Sequence, residues 1–189
     1  AYSGEGAIIA IYLHMNDLSA DVQFEGDLAV DTEAMGLNNL RDRLCLLQIS
    51  DGHGDEHLVQ FEQGMFDAPN LKKLLTDPKR VKLFHFARFD IAIMFYYLEI
   101  LVQPIYCTRT ASKLVRTFTD RHGFKDLCKE LLGMDISKQQ QTSDWGCDTL
   151  SEDQKQYAAN DVLYLHALRE KLDVMLAREG RTELAHACF

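Results

Sequence analysis

The stretch Val81-Lys-Leu-Phe-His-Phe-Ala-Arg-Phe-Asp-Ile-Ala-Ile-Met-Phe-Tyr-Tyr-Leu98 changes its period partway along. Val81–Phe86 is a short apolar run of strand length, and Ala87–Leu98 continues at once as a helical pattern. A strand that runs straight into a helix is the repeating unit of an α/β protein. Outward from there, Leu28–Asp31, Leu44–Ile49 and Leu58–Phe61 are further apolar runs separated by polar or glycine-containing turns, and they read as strands. Ile105–Cys107 adds a short strand, with a helix expected over Thr108–Phe118. Gly123–Leu132 reads as a helix that Gly133 can end in the left-handed conformation. Ser151, with Glu152 and Asp153 behind it, marks the start of a helix expected to run to about Arg178. The order of elements predicts an α/β fold, a mixed sheet flanked by helices.

The chain has 189 residues, 47% hydrophobic and 26% charged, which are ordinary globular values. It has three prolines, no Gly/Ser-rich linker and no repeat, so one domain over residues 1–189 is expected, with Ala1–Gly6 as a flexible lead-in. Ala7–Leu13, the longest apolar stretch near the start, is far short of the roughly 20 residues that span a bilayer, and no membrane association is expected. No basic segment followed by a small-residue cleavage site marks a secretory signal. The five cysteines are odd in number, widely spaced and without a C-x-x-C pair, which argues against a disulfide scaffold and points to a reducing, cytoplasmic setting. A net charge of −9 disfavours a protein that grips long nucleic acid through many phosphates. The segment Lys79–Lys125 is nevertheless +6. It reads either as solvated helix faces or as a basic wall facing a small anionic substrate.

Acidic residues occur in three telling places. Asp31-Thr-Glu33 follows an apolar strand, and period-two alternation sends both carboxylates to one face. Alone, the pair is equally a solvated loop entry. Asp90 lies in an apolar stretch where a lone carboxylate is expensive unless paired, capping a helix or liganding a cation. In Tyr157-Ala-Ala-Asn-Asp161 the i,i+4 spacing puts a phenol and a carboxylate on one helix face. Four carboxylates without a histidine or cysteine companion form an all-oxygen set, which selects hard cations such as Mg²⁺ or Mn²⁺. A pair of such ions is suited to phosphodiester displacement, with the tyrosine orienting or deprotonating the attacking water.

These segments, with His85-Phe-Ala-Arg-Phe-Asp90 as the second, resemble the three motifs of the DEDD exonuclease family in its tyrosine-bearing subclass. Ser143-Asp-Trp-Gly and Leu150-Ser-Glu-Asp-Gln are similar to the stretch before the third motif in ribonuclease D. The resemblance covers roughly residues 28–176 and implies a ribonuclease H-like exonuclease fold, two divalent metal ions and 3′→5′ hydrolysis to nucleoside 5′-monophosphates. It implies Asp31, Glu33, Asp90 and Asp161 as metal ligands and Tyr157 as the residue that positions the water. The runs 31–37, 41–49, 107–119 and 136–145 look most like the compact nano-RNase C branch, without the helical domains that follow in ribonuclease D. That branch implies very short RNA as substrate, dinucleotides foremost, and a homo-oligomer, by resemblance an octamer; Phe95, Tyr96 and Tyr97 are apolar residues available to it. Leu37 matches the position of a leucine that wedges between bases.

His85 and Arg88 lie close to Asp90; His85 reads by default as a buried, satisfied histidine, and the two together read alternatively as a positive cap for a substrate's 5′-phosphate. His53-Gly-Asp-Glu-His57 spaces two histidines i,i+4, but in a glycine-rich turn, so a metal role is not expected. Trp145 reads as a base-stacking residue or a loop anchor, and Gln139–Gln141 as a polar loop near the substrate. The other functions considered are a general RNA-processing or DNA-degrading exonuclease and a non-catalytic nucleic-acid-binding module.

Overall fold

The computed structural model describes residues 10–189, so the lead-in expected at Ala1–Gly6 lies outside the described residues. The strands are β1 (Ile11–Met15), β2 (Leu28–Ala34), β3 (Leu44–Ser50), β4 (Glu56–Gln60), β5 (Lys82–Phe84) and β6 (Ile105–Cys107). The helices are α1 (Pro69–Leu75), α2 (Ala87–Leu98), α3 (Thr108–Val115), α4 (Phe124–Leu132), α5 (Glu152–Leu163), α6 (Leu165–Arg178) and α7 (Thr182–Cys188). The six strands form one mixed sheet in the order β1-β4-β3-β2-β5-β6, antiparallel at β4-β3-β2 and parallel elsewhere.

Strand alternation divides the core between the two faces of the sheet. Leu28 and Val30 pack with α1 and α2 residues such as Leu71, Ile93 and Met94 on one side. Ala29 and Leu83 pack with Ala111, Leu127, Leu168 and Leu172 from α3, α4 and α6 on the other. A third cluster on that second side joins Leu46 and Leu58 to Trp145, Leu150 and Ala158 under α5.

The structure departs from the sequence reading at several elements. The strand expected to stop at Asp31 continues to Ala34, so the acidic pair sits inside a paired strand and not in a loop entry. The helix expected from Ser151 to Arg178 breaks at Tyr164, because α5 packs on β2, β3 and β4 whereas α6 packs on α3 and α4. Its start is as expected: Ser151 Oγ accepts from the Gln154 amide and Gln154 Oε1 accepts from the Ser151 amide. Helix α3 ends at Val115, three residues early. β1, α1 and α7 were not anticipated. Helix α1 has no side-chain cap of its own; Asp17 accepts hydrogen bonds from the amides of Asn70 and Leu71 at 3.0 and 2.9 Å. A cap from so far along the chain leaves no local signature.

One buried carboxyl is idle in this core. Glu56 of β4 lies between Ile11 of β1 and Ser50 of β3, fully buried, and neither of its carboxylate oxygens has a hydrogen-bond partner among the described residues. Burial pushes its pKa up to about 8. A carboxyl raised on folding favours the protonated form, so its contribution to stability is intact below the unfolded pKa and is lost as pH rises toward 8. Glu56→Gln, neutral at every pH, is therefore expected to melt roughly 5 °C or more above the parent near pH 8.5, the gap closing near pH 5, as measured by thermal unfolding.

Candidate active site

Asp31 and Glu33 project from the same face of β2, the face covered by α5, which carries Tyr157 and Asp161 one helical turn apart. Carboxylate oxygens of Asp31, Glu33 and Asp161 lie within 4.8 Å of one another. Thr32, between the two acidic residues, points to the other face, where α2 delivers Asp90; its Oγ1 donates to Asp90 Oδ1 at 2.5 Å. Asp90 is buried, is not one of the three carboxylates within 4.8 Å of one another, and feels the Asp31 charge. Gln48, opposite Asp31 in the β2–β3 register, points its amide at Asp31 and Glu33 at 3.5 and 3.4 Å.

The access to this group comes from strand divergence. β5 pairs with β2 only at Leu28 and Ala29, then turns at Phe86 into α2, while β3 stays paired with β2 out to Ala34. The parted strands leave a crevice at their carboxyl ends, the usual place for a ligand in an open α/β sheet. It is a cleft of about 860 Å³ whose lining includes Asp31, Glu33, Tyr157 and Asp161.

No salt bridge among the described residues involves any of the four carboxyls. Burial raises the Asp31 pKa to about 6, and burial together with the Asp31 charge pushes Glu33, Asp90 and Asp161 well above the usual carboxylate range. Burial, then Asp161, also raise the Tyr157 phenol. Clustered, half-buried carboxyls without a cationic side chain are the donor set for a metal cation, and the all-oxygen chemistry fits Mg²⁺ or Mn²⁺.

The cleft also has basic lining. Arg109, Lys113, Lys125 and Lys138 contribute to it, with His122 and against Asp120. Three of these cations fall in the +6 segment found in the sequence, a signal that marks the stretch without separating them from its other basic residues; Lys138 lies outside it. Others in that segment serve the fold. Lys82 is buried, its ammonium on the carbonyls of Asp77 and Gln103; Arg80 holds the carbonyls of Phe24 and Gly26; buried Arg116 pairs with Glu130.

The remaining sequence candidates divide. His85 lines the cleft, but burial, reinforced by Arg109, lowers its pKa to about 4, and Nδ1 sits 2.9 Å from Thr108 Oγ1; it is a neutral hydrogen-bonding group, not the cationic cap expected. Arg88 does not line the cleft. It is exposed in the first turn of α2 and lines a neighbouring groove. Leu37 stands 85% exposed on the loop after β2. Trp145 is buried with its ring 6.0 Å from that of Tyr157, so it braces the tyrosine and is closed to a base. Gln141 lines the cleft. His53 is exposed near Asp51, whereas His57 pairs with His14 across β1 and β4, so the two do not share a metal.

A family profile described as 3′-5′ exonuclease matches residues 7–177. Ribonuclease D of Gluconacetobacter diazotrophicus is 35% identical over 156 residues, covering 82% of this chain and 39% of that protein. The chain therefore spans about two fifths of the length of the curated relatives it matches. Among solved structures, Brucella melitensis NrnC is 52% identical with a TM-score of 0.92, covering 95% of this chain and 87% of that one. That protein has also been solved bound to pGG and with bound Mg²⁺. Escherichia coli RNase D, an exoribonuclease involved in structured RNA processing, matches with 27% identity and a TM-score of 0.73 over 85% of this chain and 42% of its own.

The uncompensated carboxyls make a direct prediction. In EDTA, Asp161→Asn is expected to unfold about 2–4 °C above the parent, because one of the repelling charges is gone. Saturating Mg²⁺ should raise the parent's melting temperature and leave that of the variant almost unchanged, a comparison read by scanning fluorimetry.

Proposed function

The chain belongs to the 3′-5′ exonuclease family, and from that premise we propose that it hydrolyses very short RNA, dinucleotides foremost, releasing nucleoside 5′-monophosphates. The observation that carries this reading is one cleft lined both by the carboxylates Asp31, Glu33 and Asp161 and by the cations Arg109, Lys113, Lys125 and Lys138, with room for a small ligand. A short substrate bearing a 5′-phosphate offers a scissile phosphodiester to a metal-loaded carboxylate group and a terminal phosphate to the cations. The solved complex of the related NrnC with pGG supports the choice of substrate.

In this reading Asp31, Glu33, Asp90 and Asp161 hold two divalent ions, Mg²⁺ or Mn²⁺. When bound, such ions neutralise the charge that builds on the phosphodiester oxygens and make a coordinated water acidic. Gln48 and Thr32 fix the orientation of the carboxyls by donating to them. Tyr157, braced by Trp145, presents its hydroxyl beside Asp161 and orients the attacking water. Arg109, Lys113, Lys125 and Lys138 take the place assigned from sequence to Arg88 as the receptor for the terminal phosphate, with His85 as a neutral neighbour. Leu37, exposed on the loop after β2, is the residue assigned in this reading to wedge between the two bases.

Five free cysteines fit the reducing cytoplasmic setting, and among the described residues no helix is long and apolar enough to cross a membrane. Phe95, Tyr96 and Leu101, 61%, 48% and 56% exposed, form an apolar surface on and beside α2 for self-association. Tyr97, counted with them from sequence, is instead packed on Phe66, its hydroxyl donating to the Asn39 carbonyl. Homo-oligomerisation, an octamer by the resemblance, is expected to show as a light-scattering mass well above the 21.6 kDa of one chain at micromolar concentration.

Degradation of 5′-labelled RNAs of about two to ten nucleotides beside matched DNAs tests the chemistry and the length together. Mg²⁺-dependent release of mononucleotides is expected, fastest from the dinucleotide; equal rates at all lengths would leave a general 3′→5′ exonuclease, and faster DNA cleavage would reassign the sugar. Asp31→Ala, Glu33→Ala, Asp90→Ala and Asp161→Ala are each expected to lose nearly all turnover. Tyr157→Phe is expected to slow it by roughly 10²-fold or more while dinucleotide binding persists.

A further inference from the structure

The connection from β2 to β3, residues 35–43, leaves Leu37 and Leu40 as the two most exposed large apolar side chains among the described residues, at 85% and 78%. The loop beneath them is built around one acid. The Asp42 carboxylate is turned inward, where it accepts from the Asn38 amide at 3.0 Å and from Arg41 Nε and Nη2 at 2.7 and 2.9 Å. The Asn38 carbonyl in turn accepts from the amides of Arg41 and Asp42, and Asn38 Oδ1 accepts from the amide of Leu40. Gly36 forms the opposite side of this closed turn. Its backbone is not left-handed, but a β-carbon there would overlap Asp42 Oδ2 and Cγ, so glycine is needed for space and not for conformation. Two further bonds fix the loop to the body of the protein. The Met35 amide donates to the Arg43 carbonyl at its neck, and the Tyr97 hydroxyl donates to the Asn39 carbonyl at 2.7 Å. Tyr97 belongs to α2, which carries Asp90, and the loop leaves β2, which carries Asp31 and Glu33.

We infer that Asp42 is a positioning residue for the substrate: its carboxylate, seated against Gly36, fixes the loop on which Leu37 stands, so that the leucine meets the bases of a short RNA in one preset place. This rests on the reading of Leu37 as the base wedge and adds to it what holds the wedge. A leucine on a slack loop would have to be ordered by each substrate, and that ordering is taken out of the binding energy; a loop already closed on its own carboxylate avoids the loss. Hydrogen bonding from Arg41, then from the Asn38 amide, holds the Asp42 pKa down at about 2, so the tie stays charged at any ordinary working pH. The ties to β2 and α2 refer the position of Leu37 to the two elements that bring Asp31, Glu33 and Asp90.

Gly36→Ala pushes the carboxylate out of its seat, Asp42→Ala removes it, and Leu37→Ala removes the wedge itself. These variants, and the pairs Gly36→Ala/Asp42→Ala and Gly36→Ala/Leu37→Ala, are compared with the parent in Mg²⁺ on two substrates, with melting temperatures recorded alongside. One is a 5′-phosphorylated diribonucleotide; the other is the p-nitrophenyl ester of a nucleoside 5′-monophosphate, which has one base and nothing to wedge apart. In each single variant the diribonucleotide KM is expected to rise roughly tenfold or more beyond any change in the ester KM. Gly36→Ala is expected to add nothing to Asp42→Ala, where the carboxyl it collides with is gone, and nothing to Leu37→Ala, through which it acts. A raised KM in Leu37→Ala, with folded Gly36→Ala and Asp42→Ala matching the parent, overturns the role of Asp42 and leaves the wedge reading standing. Equal losses on ester and diribonucleotide also overturn it, since that is damage to the metal-binding group. If Leu37→Ala leaves the diribonucleotide KM where it was, the wedge reading fails and the role of Asp42 fails with it. Where Gly36→Ala costs the fold, Asp42→Ala and Asp42→Asn decide the question by the same comparison.

Discussion

Asp31, Glu33 and Asp161 crowd their carboxylates within 4.8 Å of one another, among residues that supply no cationic partner, and the rest of the structure is arranged around that repulsion. Like charges at this separation in a buried setting oppose folding, and the upward shifts of their pKa values express the cost. The scaffold that tolerates it is stiff. β2 is hydrogen-bonded to both neighbours at its start, and Leu28, Ala29 and Val30 just before the acidic pair are completely buried. A flexible loop bearing the same residues would relax by moving them apart.

The period of a strand distributes the chemistry. Odd positions of β2 place Asp31 and Glu33 under α5, and the even position Thr32 reaches Asp90 from α2 on the opposite face. Two helices that never share a face of the sheet thus contribute to one group. This works because β5 leaves β2 after two paired residues, opening the edge of the sheet beside Asp31. The turn that ends the pairing is the one in which Phe86 takes its left-handed backbone, and Phe86 is itself part of the cleft lining.

Charge is placed locally rather than summed over the molecule. The protein carries −9 overall, yet Arg109, Lys113, Lys125 and Lys138 line the same cavity as the acidic group. The cations that could have extended the patch, Arg80, Lys82 and Arg116, are committed to backbone carbonyls or to Glu130.

Sequence alone was enough for the pieces whose signals are local. The period change at Phe86–Ala87, the i,i+4 pair Tyr157 and Asp161, the Ser151 cap and the alternation of Asp31 and Glu33 each depend on near neighbours, and each is found in the structure. It could not show α1, whose cap comes from Asp17, or the break at Tyr164, which reflects packing of α5 and α6 against different partners. Nor could it choose among nine basic residues in Lys79–Lys125, because whether a lysine faces a cleft or a buried carbonyl depends on chain that lies far away in sequence. Arg88 and Arg109 show the limit most clearly. The first sits two residues from Asp90 and faces another groove, while the second is nineteen residues from it and lines the cleft. Local periodicity fixes which face of an element a side chain takes, and only the packing of elements decides what that face meets.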